Sequence, residues 1–225
     1  MTAETGVTVP VLSSGKHTLR GQLRARRQGL SRLARRLAEQ RIVRHAVNAG
    51  LHWRARRFGV YAAHGAELGT RALIARLLAL GKDVYLPVLA REPGNRRMWF
   101  ARVRSDSRWR RNRFGIAEIE GGERVRASGL DILFLPLVGY DAHGYRLGMG
   151  GGFYDASLAH LHLLRVWRKP LRIGVAYSVQ YVAHDLPHEP WDVPLDAILT
   201  ERGLHYFPLT AAGDTRHRVS AAARK

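Results

Sequence analysis

Apolar positions along the chain switch between a helical and an extended period. From Lys16 to about Gly50, Leu19, Leu23, Leu30, Leu33 and Leu37 fall on one side at 3.6 residues per turn. This predicts helix, with Ser14 as a plausible N-cap and a break into two helices at Gly29. Lys16, Arg20, Arg24 and Arg27 form a cationic stripe beside those leucines. RRFGVYAAH (56–64) is a short apolar run typical of a buried strand. The loop GAELGT leads to an amphipathic helix through Leu80, stopped by Gly81, and DVYLPVLA (83–90) reads as a second strand. Strand, helix, strand in this order is a βαβ unit and implies parallel pairing.

RRMWFARV (96–103) alternates more clearly and suits a strand nearer an edge. The charged, Gly-Gly-containing segment 104–128 reads as loop with at most one turn of helix. DILFLPLVGY (131–140) is the most apolar run and is expected at the centre of the sheet. The turn DAHG follows, with Asp141 as turn former, then a glycine-rich stretch and a helix through about Arg165. RIGVAYSV (172–179) is a further strand, and DAILTERGLHYF (196–207) a hairpin turning at Arg202 and Gly203. Residues 1–15 are expected as a loose arm, 16–208 as one domain and 209–225 as a disordered tail. The sum is a three-layer α/β/α domain around a mostly parallel sheet. Ligands collect at the carboxyl ends of such strands. The loops carrying Glu67, RLGMGGGFYD (146–155) and Asp192 fall there.

Composition narrows the setting. With 225 residues, 46% of them apolar, the chain can bury a real core. It has no cysteine, which removes disulfides and thiolate metal sites. Its N-terminus lacks a signal-peptide pattern and no run reaches membrane-spanning length, so a cytoplasmic protein is expected. The net charge is +19, which suits either nucleic acid or anionic small substrates. Only four of the 37 cations are lysine, and most are scattered. The run Arg108–Arg113 reads as a solvated loop. Eleven histidines show no H-E-x-x-H pattern.

RLGMGGGFYD carries the most chemistry. Successive glycines let backbone N–H groups converge on an anion, and a helix starting just beyond adds positive dipole. The stretch ends in Gly-Phe-Tyr and lacks the G-K-[ST] of the Walker loop. It also puts Phe153 where the dinucleotide pattern needs its third glycine. A tight strand-to-helix crossover would need one or two glycines. Four, between Arg146 and Asp155, favour a phosphate cradle. Asp155 suits either the first turn of a helix or a magnesium ion held beside phosphate.

At this point LPLVGYDAHGYRLGMGGGFYD resembles the signature of the 5-formyltetrahydrofolate cyclo-ligase family, F-D-x-x-G-x-R-L-G-x-G-x-G-Y-Y-D after a buried strand. Tyr140 replaces the family Phe and Phe153 the first family Tyr. An early K-x-x-x-R (Lys16, Arg20), an E-x-x-T (Glu67, Thr70) and a closing W-D-x-x-x-D (Asp192, Asp196) follow the same order. The resemblance implies a cyclo-ligase or ribose-phosphate-isomerase-like topology. It also implies ATP-dependent cyclisation of 5-formyltetrahydrofolate to 5,10-methenyltetrahydrofolate, with Mg²⁺ and small-molecule substrates, in a probable family setting of monomers. By the resemblance, Lys16, Arg20 and the run Arg146, Leu147, Gly148, Met149, Gly150, Gly151, Gly152, Phe153 and Tyr154 would bind ATP. Arg146 and Tyr154 would be catalytic. Ala62, Glu67, Met98 and the 149–153 portion would border the folate, with Glu67 on the pterin. Asp155 and Asp192 would hold the metal, with Asp196 a competitor. Phe100 lies on the same strand as Met98, where core packing is the bare reading. A basic nucleic-acid-binding protein on this scaffold, or an ATP-independent sugar-phosphate enzyme, are the alternative readings.

Overall fold

The computed structural model describes residues 11–163, 170–189 and 191–208. The helices are α1 (Val11–Gln28), α2 (Arg32–Asn48), α3 (Leu51–Arg54), α4 (Arg71–Ala79) and α5 (Phe153–Leu163). The strands are β1 (Arg57–Gly59), β2 (Asp83–Val88), β3 (Trp99–Arg102), β4 (Arg108–Arg111), β5 (Ala117–Glu120) and β6 (Arg124–Val125), followed by β7 (Ile132–Pro136), β8 (Gly139–Tyr140), β9 (Arg146–Leu147), β10 (Leu171–Val175), β11 (Ala197–Thr200) and β12 (Gly203–Tyr206). Eight strands form the main sheet in the order β12-β11-β10-β7-β1-β2-β3-β6. The pairs from β11 through β2 are parallel. Antiparallel partners complete both sides: β12 on one, β3 and β6 on the other.

Strand periodicity divides the core between two faces. Val84, Leu86, Ile132, Phe134, Ile173, Val175, Ala197 and Leu199 point to the face covered by α2 and α4. The intervening Tyr85, Leu133, Leu135 and Ile198 pack on the opposite face, with Leu158 of α5. Side chains alternate across a strand, so continuous apolar runs such as ILFLP are what a strand buried on both faces requires. The expected three-layer architecture and the central place of β7 follow directly.

Helix boundaries differ in part from the periodicity reading. The break at Gly29 is present, and Ser31 caps α2 by accepting a hydrogen bond from Ala34 N at 3.1 Å. Arg35 then turns back on α1, donating to the carbonyls of Leu30 at 3.0 Å and Gln28 at 2.8 Å. Those acceptors belong to a helix end with no intrahelical partners of its own. The break resets the phase: Leu33 and Leu37 are exposed, and α2 buries Ala38, Ile42 and Ala46 instead. Ser14 lies inside α1, which starts at Val11, so the cap and the arm boundary expected there are corrected. Residues 1–10, the tail 209–225 and the stretch around Arg165 lie outside the described residues. Among the described residues, no helix is long and apolar enough to cross a membrane.

Two further differences shape the functional end of the sheet. β1 is only three residues long because the chain leaves the sheet after Val60. Tyr61 ties the departing loop together: its hydroxyl donates to Leu68 O at 2.7 Å, while Thr70 Oγ1 donates to Tyr61 O at 2.7 Å. The segment 104–128, expected as loop, instead contains the β4–β5 hairpin and edge strand β6. Arg108–Arg111 is therefore strand, not solvated loop. Asn112 makes the turn, its Oδ1 accepting from Phe114 N at 2.9 Å and Ile116 N at 3.1 Å. Four residues of such a turn between short charged strands have no apolar alternation to announce them.

Glu118 on β5 fastens this hairpin to the sheet. The carboxylate is buried and accepts from Leu89 N at 2.9 Å, Asn112 Nδ2 at 3.0 Å and Arg110 Nη2 at 3.0 Å. Glu118→Ala strands the Leu89 amide and is expected to destabilise the protein by about 1–3 kcal/mol. Amide exchange should rise in the hairpin before it rises in β7. A urea midpoint equal to that of the parent protein would show that Glu118 does not fasten the hairpin.

Candidate active site

After β1 the chain runs to β2 on one side, and it later returns to β7 on the other. Connections therefore diverge between β1 and β7, and a crevice opens at the carboxyl ends of these strands. Tyr61 and Ala62 follow β1 and Leu137 follows β7, and all three line a cleft of about 720 Å³. A shallower depression of about 400 Å³, lined by Trp53, Arg56, Lys82 and Asp131, lies at the amino ends of the strands, away from the glycine loop.

The glycine loop forms one wall. A buried Asp141 builds its entrance, Oδ1 accepting from His143 N and Tyr145 N at 2.9 Å each, and Oδ2 from Leu186 N at 3.0 Å. The expected role of Asp141 as turn former is what these bonds describe. Beyond β9, Gly150 and Gly152 adopt φ of 97° and 65°, the left-handed range that favours glycine. A Cβ on Gly151 would meet the Phe153 ring at 2.8 Å. Gly148 has open space around it, and its contribution is a carbonyl that accepts from Arg20 Nε at 2.9 Å. The amino end of α5 then faces the cleft, with Asp155 in its first turn.

Every cation expected here has a protein partner. Lys16 Nζ lies 3.2 Å from Glu189 Oε1. Arg20 holds Gly148. Arg146 is nearly buried, pairing through Nη2 with Asp155 and through Nη1 with the Val193 carbonyl. Asp192 accepts from Glu189 N at 2.9 Å, so the segment bearing both carboxylates is folded against the mouth of the cleft.

The opposite wall is less polar. Met98 reaches the cleft because its N–H donates to Ser157 Oγ at 2.9 Å, and Ser157 in turn donates to Phe153 O at 2.6 Å. Phe114, from the tip of the hairpin, meets Phe153 edge to face with centroids 6.0 Å apart. Glu67 Oε2 accepts from His64 N at 3.0 Å. Burial raises the Glu67 carboxyl above its ordinary value, opposed by the His64 N–H and the Arg27 charge. Burial also holds the Tyr154 hydroxyl far above the usual tyrosine range, so it stays protonated and acts as a hydrogen-bond donor.

Lys16, Arg20, Ala62, Glu67, Met98, the run from Arg146 to Asp155, and Asp192 thus border one cleft. Leu147 borders it mainly through backbone, since its side chain is buried with Leu23, Val138, Val182 and Leu186. Asp196 does not join them. It forms a bidentate pair with Arg172 at 2.7 and 2.8 Å, just before β11, which removes it as the competing metal ligand. Phe100 is fully buried in the core, as its bare reading held. Glu67 is not the cap of α4 either: Glu39, from α2, accepts from Ala72 N at 3.0 Å. Sequence reading missed Asn112, Phe114, Glu118, Glu189 and Trp191 as cleft residues. The available signals were the N-x-F-G turn and the tryptophan beside Asp192.

Among the described residues, no three carboxylate or imidazole side chains converge as a metal cage. Asp155 and Asp192 supply hard oxygen donors at the cleft, a set that needs phosphate or water oxygens to complete an octahedron.

Comparison with known proteins gives a consistent result. The family model for 5-formyltetrahydrofolate cyclo-ligases matches residues 12–201. A 5-formyltetrahydrofolate cyclo-ligase from Haemophilus influenzae is 38% identical over 189 residues, covering 82% of this chain and 96% of that protein. One from Escherichia coli is 40% identical over 146 residues, covering 63% of this chain and 75% of its own length. The solved 5,10-methenyltetrahydrofolate synthetase from Aquifex aeolicus superposes with a TM-score of 0.71 at 28% identity, covering 92% of this chain and 99% of that one. With the glycine loop, the switch-point cleft and these matches in agreement, the chain belongs to the 5-formyltetrahydrofolate cyclo-ligase family.

Proposed function

We propose that this protein closes 5-formyltetrahydrofolate to 5,10-methenyltetrahydrofolate at the expense of ATP, releasing ADP and phosphate. The observation that carries this reading is the single cleft in which a glycine loop, three cations, two aspartates and Glu67 meet. The formamide carbon is a poor electrophile because its nitrogen donates into the carbonyl. Attack of the formyl oxygen on the γ-phosphorus expels ADP and turns that oxygen into a leaving group. N10 then bonds to the carbon, loses its proton, and phosphate departs with the oxygen. The substrate supplies both nucleophiles, so the protein's work is positioning, charge neutralisation and exclusion of water.

In this reading the backbone of Gly148–Gly152 and the start of α5 receive the phosphates. Lys16, Arg20 and Arg146 neutralise them, exchanging Glu189, Gly148 O and Asp155 for phosphate oxygens. Arg146 and the protonated Tyr154 act nearest the transferred group. Asp155 and Asp192 hold Mg²⁺, which bridges phosphate oxygens and offsets their charge. Asp155, released by Arg146, turns to the metal as Arg146 turns to phosphate. Glu67 accepts hydrogen bonds from the pterin N–H edge. Ala62, Met98 and Phe153 flank the rings, with Phe114 opposite. Phe153 keeps the ring of the family tyrosine without its hydroxyl. The reading extends to a cytoplasmic monomer acting on small molecules.

The direct test is the methenyl absorbance formed by purified protein with ATP, Mg²⁺ and 5-formyltetrahydrofolate. No absorbance change at any enzyme concentration would end the proposal. Asp155→Asn is expected to lower kcat about 10²-fold or more with the fold intact, a loss of electrostatic stabilisation in the usual range. Excess Mg²⁺ should restore part of that loss, and full activity would remove the metal assignment. Arg20→Ala should raise KM for ATP about tenfold, the effect of losing one charged hydrogen bond, and leave KM for the folate nearly unchanged. Equal rises in both constants would argue against a phosphate contact.

A further inference from the structure

Arg27 closes α1 with its guanidinium turned inward. It is 6% exposed, whereas Arg24 and Arg26 of the same helix face solvent. Its Nε has no hydrogen-bond partner. Arginine is rarely buried without a match for its charge, and an unsatisfied buried donor in a native protein calls for a reason. The helix end itself is fixed from outside, where Arg35 Nη2 donates to Arg27 O at 3.3 Å. The cation is therefore held in place while part of its donor capacity stays unused.

The groups acting on Arg27 are Glu67, Tyr61, Tyr177 and Arg24. Glu67 is the one carboxylate in that set. The two tyrosines are those that shape its loop, Tyr61 through Leu68 O and Tyr177 through Glu67 O at 3.5 Å. Besides Arg27, His64 acts on Glu67. Glu67 in turn acts on Tyr61 and on Tyr154 of α5. Arg27 does not border the cleft, whereas Glu67 does.

We infer that Arg27 is a positioning residue for Glu67: from behind the loop, its buried guanidinium preserves the negative charge of Glu67 and aims the carboxylate at the N–H edge of the substrate. This rests on the reading that Glu67 holds the pterin. A protonated Glu67 would lose one of the two acceptors that an N–H pair requires. Burial drives Glu67 toward that protonated form, and Arg27 opposes it. The sign follows. Folate affinity falls as pH drops through the Glu67 titration, and loss of the Arg27 charge moves that fall to higher pH.

The test is 5-formyltetrahydrofolate affinity by calorimetry from pH 5 to 8, on the full chain, with KM for each substrate measured in parallel. Arg27→Gln is expected to move the acid limb upward by about 1 pH unit, the usual effect of removing a neighbouring opposite charge. KM for ATP should stay within twofold of the parent value, although α1 also carries Lys16 and Arg20. A general loosening of α1 would raise both constants together, and that result would overturn the inference. Arg27→Lys keeps the charge without the planar fork, and should fall between parent and Arg27→Gln in both affinity and limb position. Parental behaviour of Arg27→Lys would also overturn the inference, which keeps the question answerable if Arg27→Gln does not fold. Glu67→Gln separates the two levels. Its acid limb should vanish and its folate affinity fall about tenfold or more. Unchanged affinity in Glu67→Gln would remove the pterin role itself; a weakened Glu67→Gln beside an unmoved Arg27→Gln limb would remove only Arg27.

Discussion

The functional end of this molecule hangs on one buried carboxylate. Asp141 receives three backbone N–H groups, two from its own turn and one from Leu186. The first two shape the reversal between β8 and β9, which delivers Arg146 and the glycines at the end of a rigid strand pair. The third fastens the segment that goes on to Glu189 and Asp192. A charged oxygen with three donors and no exposure has little freedom to rearrange, so both walls inherit a common origin. The phosphate-side backbone and the carboxylates facing it are thereby kept in register although they lie far apart in sequence.

The sheet supplies the complementary constraint. Its order changes direction between β1 and β7, so the loops after those strands diverge and leave space that no packed side chain fills. Helix α1 covers one side of that space through Leu23, which packs with Val138, Leu147, Val182 and Leu186. The contact places Lys16 and Arg20, on successive turns of the same helix, over the glycine loop. Cations from the start of the chain thus meet glycines from its last third through an ordinary apolar contact.

Much of this was legible in the residues, and the rest failed for identifiable reasons. ILFLP announced a central strand because a strand buried on both faces must be apolar at every position. The glycine run announced itself because two of its members need left-handed backbone that side chains resist. Leu33 and Leu37 misled because a helical period carried across Gly29 ignores the rotation that a break introduces. The β4–β5 hairpin escaped notice because its strands are stabilised by Glu118 and Arg110 and by Asn112 at the turn, with little apolar alternation to reveal it. Asp192 and Asp196 looked equivalent four residues apart. Only tertiary structure separates them, since Asp196 meets Arg172 at the entry to β11 while Asp192 stays at the mouth of the cleft.

The pairing of Lys16 with Glu189, and of Arg146 with Asp155, also bears on selectivity among anions. A protein with a net charge of +19 in a cell full of phosphate esters risks a permanently clogged site. Here each cation is already satisfied, and a lone small anion gains little by displacing one partner while leaving a carboxylate stranded. A metal-bound polyphosphate escapes that penalty, because its cation takes up the released carboxylates as its oxygens take the freed guanidinium and ammonium groups. The resting cleft behaves as a lock with two coupled tumblers, insensitive to either charge presented alone.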